Sequence, residues 1–203
     1  MHTYASASRL INTLASLCLA AASLVALSAP AQALELKEKI PNRLSHELAL
    51  QIDVNLGPQE DMGNSPDGHR INYPIIGGTF VGKDLDGKPI EGTVVPGGAD
   101  MSVTRADGVT LINALYRLKT SDGQIILIDN AGIWRLNASG QAKKAKGLGL
   151  RDMKETDFYC RTTPSFKTQP GAHAWMNDYI FTGTIDGLSE HEVLISVYRV
   201  DGQ

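Results

Sequence analysis

Asp100, Tyr116 and Arg161 are the side chains of this 203-residue chain whose types and settings suit them to moving a proton. Asp100 ends the stretch Pro96-Gly97-Gly98-Ala99-Asp100, where adjacent glycines let the backbone turn closely. Tyr116 shares strand parity with Ile112, Ala114 and Leu118, so it points to an apolar face where its hydroxyl wants a partner. Tyr159 and Arg161 share a parity that excludes Cys160. An arginine flanked by aromatics on one face is costly unless a carboxylate or a ligand meets it, and Asp100 is the partner this suggests. In such a site Asp100 acts as base, its pKa raised by burial or lowered by Arg161 according to which effect wins. Tyr116 or Arg161 then holds the developing oxyanion.

Around this trio, Arg70, Asn130, Tyr159, Trp175, Asn177 and Tyr198 are candidates for ligand contact. Each position also has a structural role to weigh. An Asp100–Arg161 pair can simply pin two strands together, Tyr116 and Tyr198 can be core tyrosines, and Trp175 can be packing. Arg70 and His69 lie beside a turn, and Asn130, in Asp-Asn-Ala-Gly, suits the left-handed turn conformation. Other constellations fail on spacing. His46, His69, His173 and His191 form neither His-x-His nor His-Glu-x-x-His, no Gly-x-Ser-x-Gly elbow occurs, and Gly147-Leu-Gly-Leu lacks the third glycine of a phosphate fingerprint. The chemistry expected therefore uses no cofactor and no metal: isomerisation, elimination or cyclisation by Asp, Tyr and Arg in a dry cavity.

The elements that must position these residues are strands. Asp-Gly pairs at 67-68, 86-87, 107-108, 122-123, 186-187 and 201-202 suit turns that need positive φ and mark hairpins. Between them lie alternating segments at 46–54 (Leu48, Leu50, Ile52 and Val54 on one face), 72–81, 100–105, 109–119, 124–130, 132–136, 157–163, 175–183 and 192–200. In the last but one, Trp175, Asn177, Tyr179 and Phe181 share a face. Helical periodicity is absent, so the expectation is all-β: a single antiparallel closed barrel of about eight or nine strands with room for one small ligand. Residues 55–70 read as a long loop over one mouth. Residues 139–155, carrying Lys143, Lys144, Lys146 and Arg151, read as a solvated connection or a lid that attracts an anionic group.

The first 33 residues carry Arg9 as their one formal charge, an apolar run from Leu10 to Leu27 and then Ala31-Gln32-Ala33, a small-x-small cleavage pattern. We expect a signal peptide over 1–33, a single domain over 34–203, and export to a periplasmic or extracellular compartment. Cys18 leaves with the signal, and Cys160 remains as a lone cysteine expected to be buried. With Arg9 gone, 18 Lys+Arg face 22 Asp+Glu, a balance of about −4 that gives no reason to expect nucleic acid or an anionic membrane as partner. Asn137-Ala138-Ser139 matches a glycosylation sequon.

Six blocks carry a resemblance. "HRINYPIIGGTFVG" (69–82), "GTVVPGGADMSV" (92–103), "LINALYRLKTSDGQIILIDNAG" (111–132), "YCRTTPSF" (159–166), "AWMNDYIFTG" (174–183) and "VYRV" (197–200) resemble, in order, the blocks of the bacterial and fungal domain-of-unknown-function family 3237. The resemblance covers roughly 45–200 and implies a calycin-like or allene-oxide-cyclase-like β-barrel with an interior cavity. It places Asp100 in its most distinctive block. Met101 departs from it, standing where a large aromatic such as Trp is expected, which bears on the wall of any pocket. Two functions follow: a cofactor-independent lyase, isomerase or cyclase acting on an apolar or aromatic small molecule, or a carrier that binds such a ligand in the same cavity. A homo-oligomer is compatible with either.

Overall fold

The computed structural model describes residues 43–149 and 152–202. The expected signal peptide, its cleavage point and Arg151 lie outside the described residues. Period-two alternation builds β1 (Leu44–Leu56), β2 (Glu60–Ser65), β3 (Gly68–Lys83), β4 (Pro89–Thr104), β5 (Thr110–Thr120), β6 (Ile125–Leu136), β7 (Phe158–Thr168), β8 (Ile180–Ser189) and β9 (Glu192–Gly202). All pair antiparallel in the order β1-β9-β8-β7-β6-β5-β4-β3-β2, and β1 also pairs with β3, which closes eight strands into a barrel with β2 as an extra strand. Closure leaves no free edge within the ring.

One long strand makes both arrangements possible. The first half of β3 pairs with β2, from Glu60↔Asn72 to Ser65↔Gly68, and its second half with β1, from Leu50↔Gly82 to Leu56↔Ile75. The change of partner falls between Asn72 and Ile75; just beyond it Gly77 and Gly78 are both at positive φ, and a Cβ on Gly78 would strike the Asp53 carbonyl. Glycine is required there by conformation and by space.

Several expectations need correction. Residues 55–70 are a β-hairpin rather than a loop: Ser65 Oγ donates to the Gly68 carbonyl at 2.9 Å across Pro66-Asp67, and Asp61 Oδ1 accepts from Gly63 N at 2.8 Å. The expected pair of strands over 124–130 and 132–136 is one strand, β6. Within 139–155 lies a helix, α1 (Ala138–Ala145), because the Asn137 side chain caps it, accepting from Ser139 N at 3.0 Å and Gly140 N at 3.2 Å. Asp-Gly pairs at 86-87, 107-108 and 122-123 do form hairpin turns, helped by Asp84 and Asp107 side chains that accept backbone N–H groups. Asp186-Gly187 and Asp201-Gly202 instead lie inside β8 and β9.

The barrel has a packed end and an open end. Leu50, Ile52, Leu118, Ile126, Ile128, Phe181 and Val197 fill the packed end, where Phe166 meets Phe181 edge-on at 4.8 Å. Leu48 is excluded from this core, since an irregularity between Leu48 and Leu50 turns it outward. The segment expected as a strand from Trp175 begins instead with a 3-10 turn, Ala174–Asn177, which plugs this end with Met176. Asn177 holds the turn by accepting from Thr168 N at 3.0 Å and donating to the carbonyls of Thr168 and Ala174.

Candidate functional site

The open end is formed by the first halves of β3, β5 and β7 and the second halves of β4, β6 and β8. Their inward positions line a cavity of about 1280 Å³. Its walls are mostly apolar, with Ile71, Ile112, Trp134, Leu136, Phe158 and Ile185, and its polar wall groups include Tyr73, Ser102, Thr104 and Thr110. The rim is supplied by α1 and the turn after it, through Gln141, Lys144, Leu148, Met153 and Lys154. That rim is tied down by Asp157, whose carboxylate accepts from Lys143, from Ser139 Oγ at 2.6 Å and from Lys154 N at 2.7 Å. These three donors, Lys143 first, hold the Asp157 carboxyl far below the usual carboxylate range.

Asp100 sits one inward position beneath Ser102. In β4 the residues between Val95 and Ala99 bulge away from β5, with Gly97 at φ 95° and Gly98 so close to Tyr116 that a Cβ would strike it. Two extra residues leave strand parity unchanged, so Asp100, Ser102 and Thr104 continue the inward series of Ile90 and Val94. The "PGGAD" glycines thus let β4 pass over the Tyr116 side chain and deliver Asp100 to the interior. Asp100 Oδ2 accepts from Ser102 Oγ at 2.9 Å and Oδ1 from the Asn113 N–H at 2.9 Å. That amide is free to do so because the β4–β5 ladder skips from Asp100↔Ala114 to Val103↔Leu111.

No ion pair among the described residues includes Asp100. Burial pushes its carboxyl above the ordinary range, and the Asn113 and Ser102 hydrogen bonds draw it back by less. Tyr73, its direct partner across β3–β4, has its phenol raised by burial and then by the Asp100 charge. Burial likewise lifts the Cys160 thiol to about 11, so this lining cysteine is a neutral thiol. The arrangement is a carboxyl of weakened acidity hydrogen-bonded to one cavity-lining side chain, Ser102, and paired across β3–β4 with another, the protonated Tyr73 phenol, which is suited to exchanging a proton with a bound molecule.

The other candidates divide by face. Tyr116 and Asn130 point inward, below Asp100's level and beside it, and both are fully buried. Asn130 stands in mid-strand opposite Ala114 and Pro164, so the turn role is excluded. Arg161 and Tyr159 lie on the outer face, since Cys160, Thr162 and Phe166 take the inner one. The Asp100–Arg161 pair is therefore not formed: Arg161 donates to the Cys160 carbonyl at 2.6 Å and stacks over Tyr159 at 5.4 Å. Arg70 pairs with Asp67 in the β2–β3 hairpin, and Trp175 and Asn177 belong to the plug at the far end. Tyr198 is on the outside, edge-on to His46 at 5.5 Å. Met101 is an exposed outer residue, so its departure from the expected aromatic leaves the cavity wall untouched. Tyr73, Ser102, Trp134 and Phe158 were missed as site residues. Tyr73 alternates with Ile71 and Ile75, and Ser102 lies two residues from Asp100, so strand parity carried both.

Comparison with known proteins places this geometry. A family profile described as protein of unknown function (DUF3237) matches residues 44–200, from the start of β1 nearly to the end of β9. The chain belongs to the DUF3237 family. A UPF0311 protein of Clostridium acetobutylicum is 33% identical over 133 residues, spanning 66% of this chain and 78% of the relative. The crystal structure of a β-barrel-like protein from Acinetobacter baumannii superposes with a TM-score of 0.69 at 26% identity, covering 81% of this chain and all of that one. An enzyme from Penicillium herquei shares the fold, with a TM-score of 0.57 at 21% identity over 82% of this chain and all of that one. The DUF3237 barrel is thus a fold on which an enzyme is also found, and in this member Asp100 hydrogen-bonds Ser102 in the wall of the open cavity.

Proposed function

We propose that this DUF3237 protein is an exported barrel that takes an apolar or aromatic small molecule into its open end and moves a proton on it with Asp100. The reaction class is isomerisation or lyase-type elimination without a cofactor. The observation that carries the reading is the half-buried Asp100 carboxyl, weakened as an acid by burial, with no ion-pair partner among the described residues and hydrogen-bonded to Ser102 in the wall of a large apolar cavity. Asp100 takes the proton in its ionised form, and the Tyr73 phenol, kept protonated by its setting, donates a hydrogen bond to ligand oxygen. Export rests on the Leu10–Leu27 run and the Ala31-Gln32-Ala33 motif.

The apolar walls also support a carrier that binds without turnover, with Asp100 as a polar anchor. A panel of phenolic and other aromatic compounds, screened by thermal shift and by absorbance change on incubation, separates the two. An enzyme converts a panel member at a rate lost in Asp100→Asn while Ile112→Ala alters affinity more than rate. A carrier shows binding with no conversion in either protein. No binding by any panel member, together with unchanged melting throughout, removes both readings.

A further inference from the structure

Ser102 is the wall residue through which the cavity reaches Asp100. It is 5% exposed, lines the cavity, and its hydroxyl makes one hydrogen bond among the described residues, the 2.9 Å donation from Oγ to Asp100 Oδ2. The other carboxylate oxygen, Oδ1, is engaged by the Asn113 N–H at 2.9 Å. A serine hydroxyl has one proton and two lone pairs, so with its proton held by the carboxylate Ser102 keeps only the capacity to accept. No group among the described residues donates to it. A buried hydroxyl in a cavity wall is thus oriented as an acceptor and left without a donor.

The neighbouring hydroxyls of the same wall can donate. Tyr73, which pairs with Asp100 across β3–β4, also lines the cavity, and its hydroxyl has no hydrogen-bonding partner among the described residues. Thr104, the next inward residue on β4, shares a hydrogen bond of 2.8 Å with Thr110, so one of their two protons is committed and the other is free. On β6 and β7 the cavity is lined by Trp134 and Phe158, whose rings lie 5.8 Å apart and tilted by 34°, a surface for a flat apolar body. A carbonyl or ether oxygen set against Ser102 would bring lone pairs against lone pairs, whereas a hydroxyl supplies the missing proton.

We propose that Ser102 is the hydroxyl-reading contact of the cavity: the ligand carries an O–H on its apolar or aromatic body and donates it to Ser102 Oγ, while Asp100 behind the wall holds the serine in the accepting orientation. This deepens the small-molecule reading above and rests on it. The contact also links Asp100 to the ligand. When one proton shifts along each of the two hydrogen bonds, the ligand O–H breaks as a new bond to Ser102 Oγ forms, and the former Ser102 O–H breaks as Asp100 Oδ2 gains a proton. Negative charge has then passed from the carboxylate to the ligand oxygen, Ser102 is restored as a neutral hydroxyl, and the Tyr73 phenol is the donor available to the new oxyanion. A ligand that presents only a carbonyl or an ether has no proton to enter this path.

The test is titration calorimetry of the purified protein at about pH 8, where the carboxyl is ionised, with 2-naphthol, 2-methoxynaphthalene and naphthalene. The parent is expected to bind the neutral naphthol at least about tenfold more tightly than the methyl ether, which leaves the Ser102 acceptor unmatched. Ser102→Ala should erase that preference and leave naphthalene binding unchanged, and Ser102→Thr, which keeps the hydroxyl, should retain it. Asp100→Asn gives the readout that a merely structural serine would not move. There Ser102 accepts from the amide and its proton turns to the ligand, so the ether should gain on naphthalene and the naphthol preference should fall to about twofold or less. Equal binding of naphthol and ether by the parent overturns the Ser102 contact and leaves the cavity reading standing. A preference that survives in Ser102→Ala, or in Asp100→Asn should the alanine protein fail to fold, also refutes it. Failure of all three probes to bind the parent overturns the cavity reading itself.

Discussion

Replacing Asp100 by asparagine isolates the property on which the proposed function depends, a carboxyl whose protonated form the barrel favours. The amide keeps an oxygen for the Asn113 N–H, and the Ser102 hydroxyl reverses to accept from the amide nitrogen, so both 2.9 Å contacts persist in neutral form. Each neutral bond is weaker than its charge-assisted counterpart by about 1 kcal/mol. Against that stands the loss of a desolvated charge. Folding raises the Asp100 pKa from its ordinary value of 3.8, so the folded state binds more protons than the unfolded state in the interval above it. Its contribution to stability is fully present below 3.8 and is lost as pH climbs through the raised folded value. Every tenfold weakening of the acid on folding is worth about 1.4 kcal/mol once that interval is passed, which is about 2–4 °C in melting temperature for a domain of this size. The substituted amide does not titrate, so the melting temperature of Asp100→Asn minus that of the parent should rise between about pH 3.5 and about pH 7. A difference that stays flat would refute the raised pKa. A difference that falls with pH would mean that a cation stabilises the carboxylate, contrary to the geometry. Turnover of any substrate found should drop by about 10²–10⁴ in the same variant.

Other outcomes follow from the placement of single residues. Arg161→Met changes an exposed outer residue, so it should alter stability by no more than about 0.5 kcal/mol in urea titration, and its effect should add to that of Asp100→Asn with no coupling. Gly78→Ala must place a side chain against the Asp53 carbonyl at φ 136°, and a loss of about 1–3 kcal/mol or failure to fold is expected, read by the urea midpoint. Asp157 has a depressed pKa, so its hold on α1 is present at neutral pH and is lost on acidification below the ordinary carboxylate range; Asp157→Asn should raise amide exchange across 138–157 at about pH 7 and remove its acid dependence. Exported protein should begin at Leu34 by mass spectrometry, and an intact Met1 in that fraction would contradict the signal peptide.

Why the barrel was legible and half of the site was not comes down to which interactions are local. Asp107-Gly108 and Asp122-Gly123 mark turns because the aspartate closes its own turn on a backbone N–H two residues on, a contact confined to adjacent residues. Asp186-Gly187 carries the same signal, but Gly187 pairs with Val193 inside β8, and only the partner strand decides that. Trp175, Asn177, Tyr179 and Phe181 alternate as a strand does. The chain turns there because Asn177 finds both backbone groups of Thr168 on another strand.

Arg161 shows the same limit within the site. Alternation correctly separated Tyr159 and Arg161 from Cys160, yet parity assigns residues to two faces without saying which face is inner. In β7 the choice falls to Cys160, Thr162, Pro164 and Phe166, whose burial against β6 and β8 outweighs anything Tyr159 could gain by facing inward. Had Arg161 been inner, its guanidinium would have drawn the Asp100 pKa down and left an ion pair rather than a proton-exchanging acid. Its exclusion to the outer face is what leaves Asp100 without a counter-charge among the described residues. The weakened acidity proposed to make the site reactive therefore arises from a strand-face choice made by four apolar or neutral neighbours, a choice in which the carboxylate has no part.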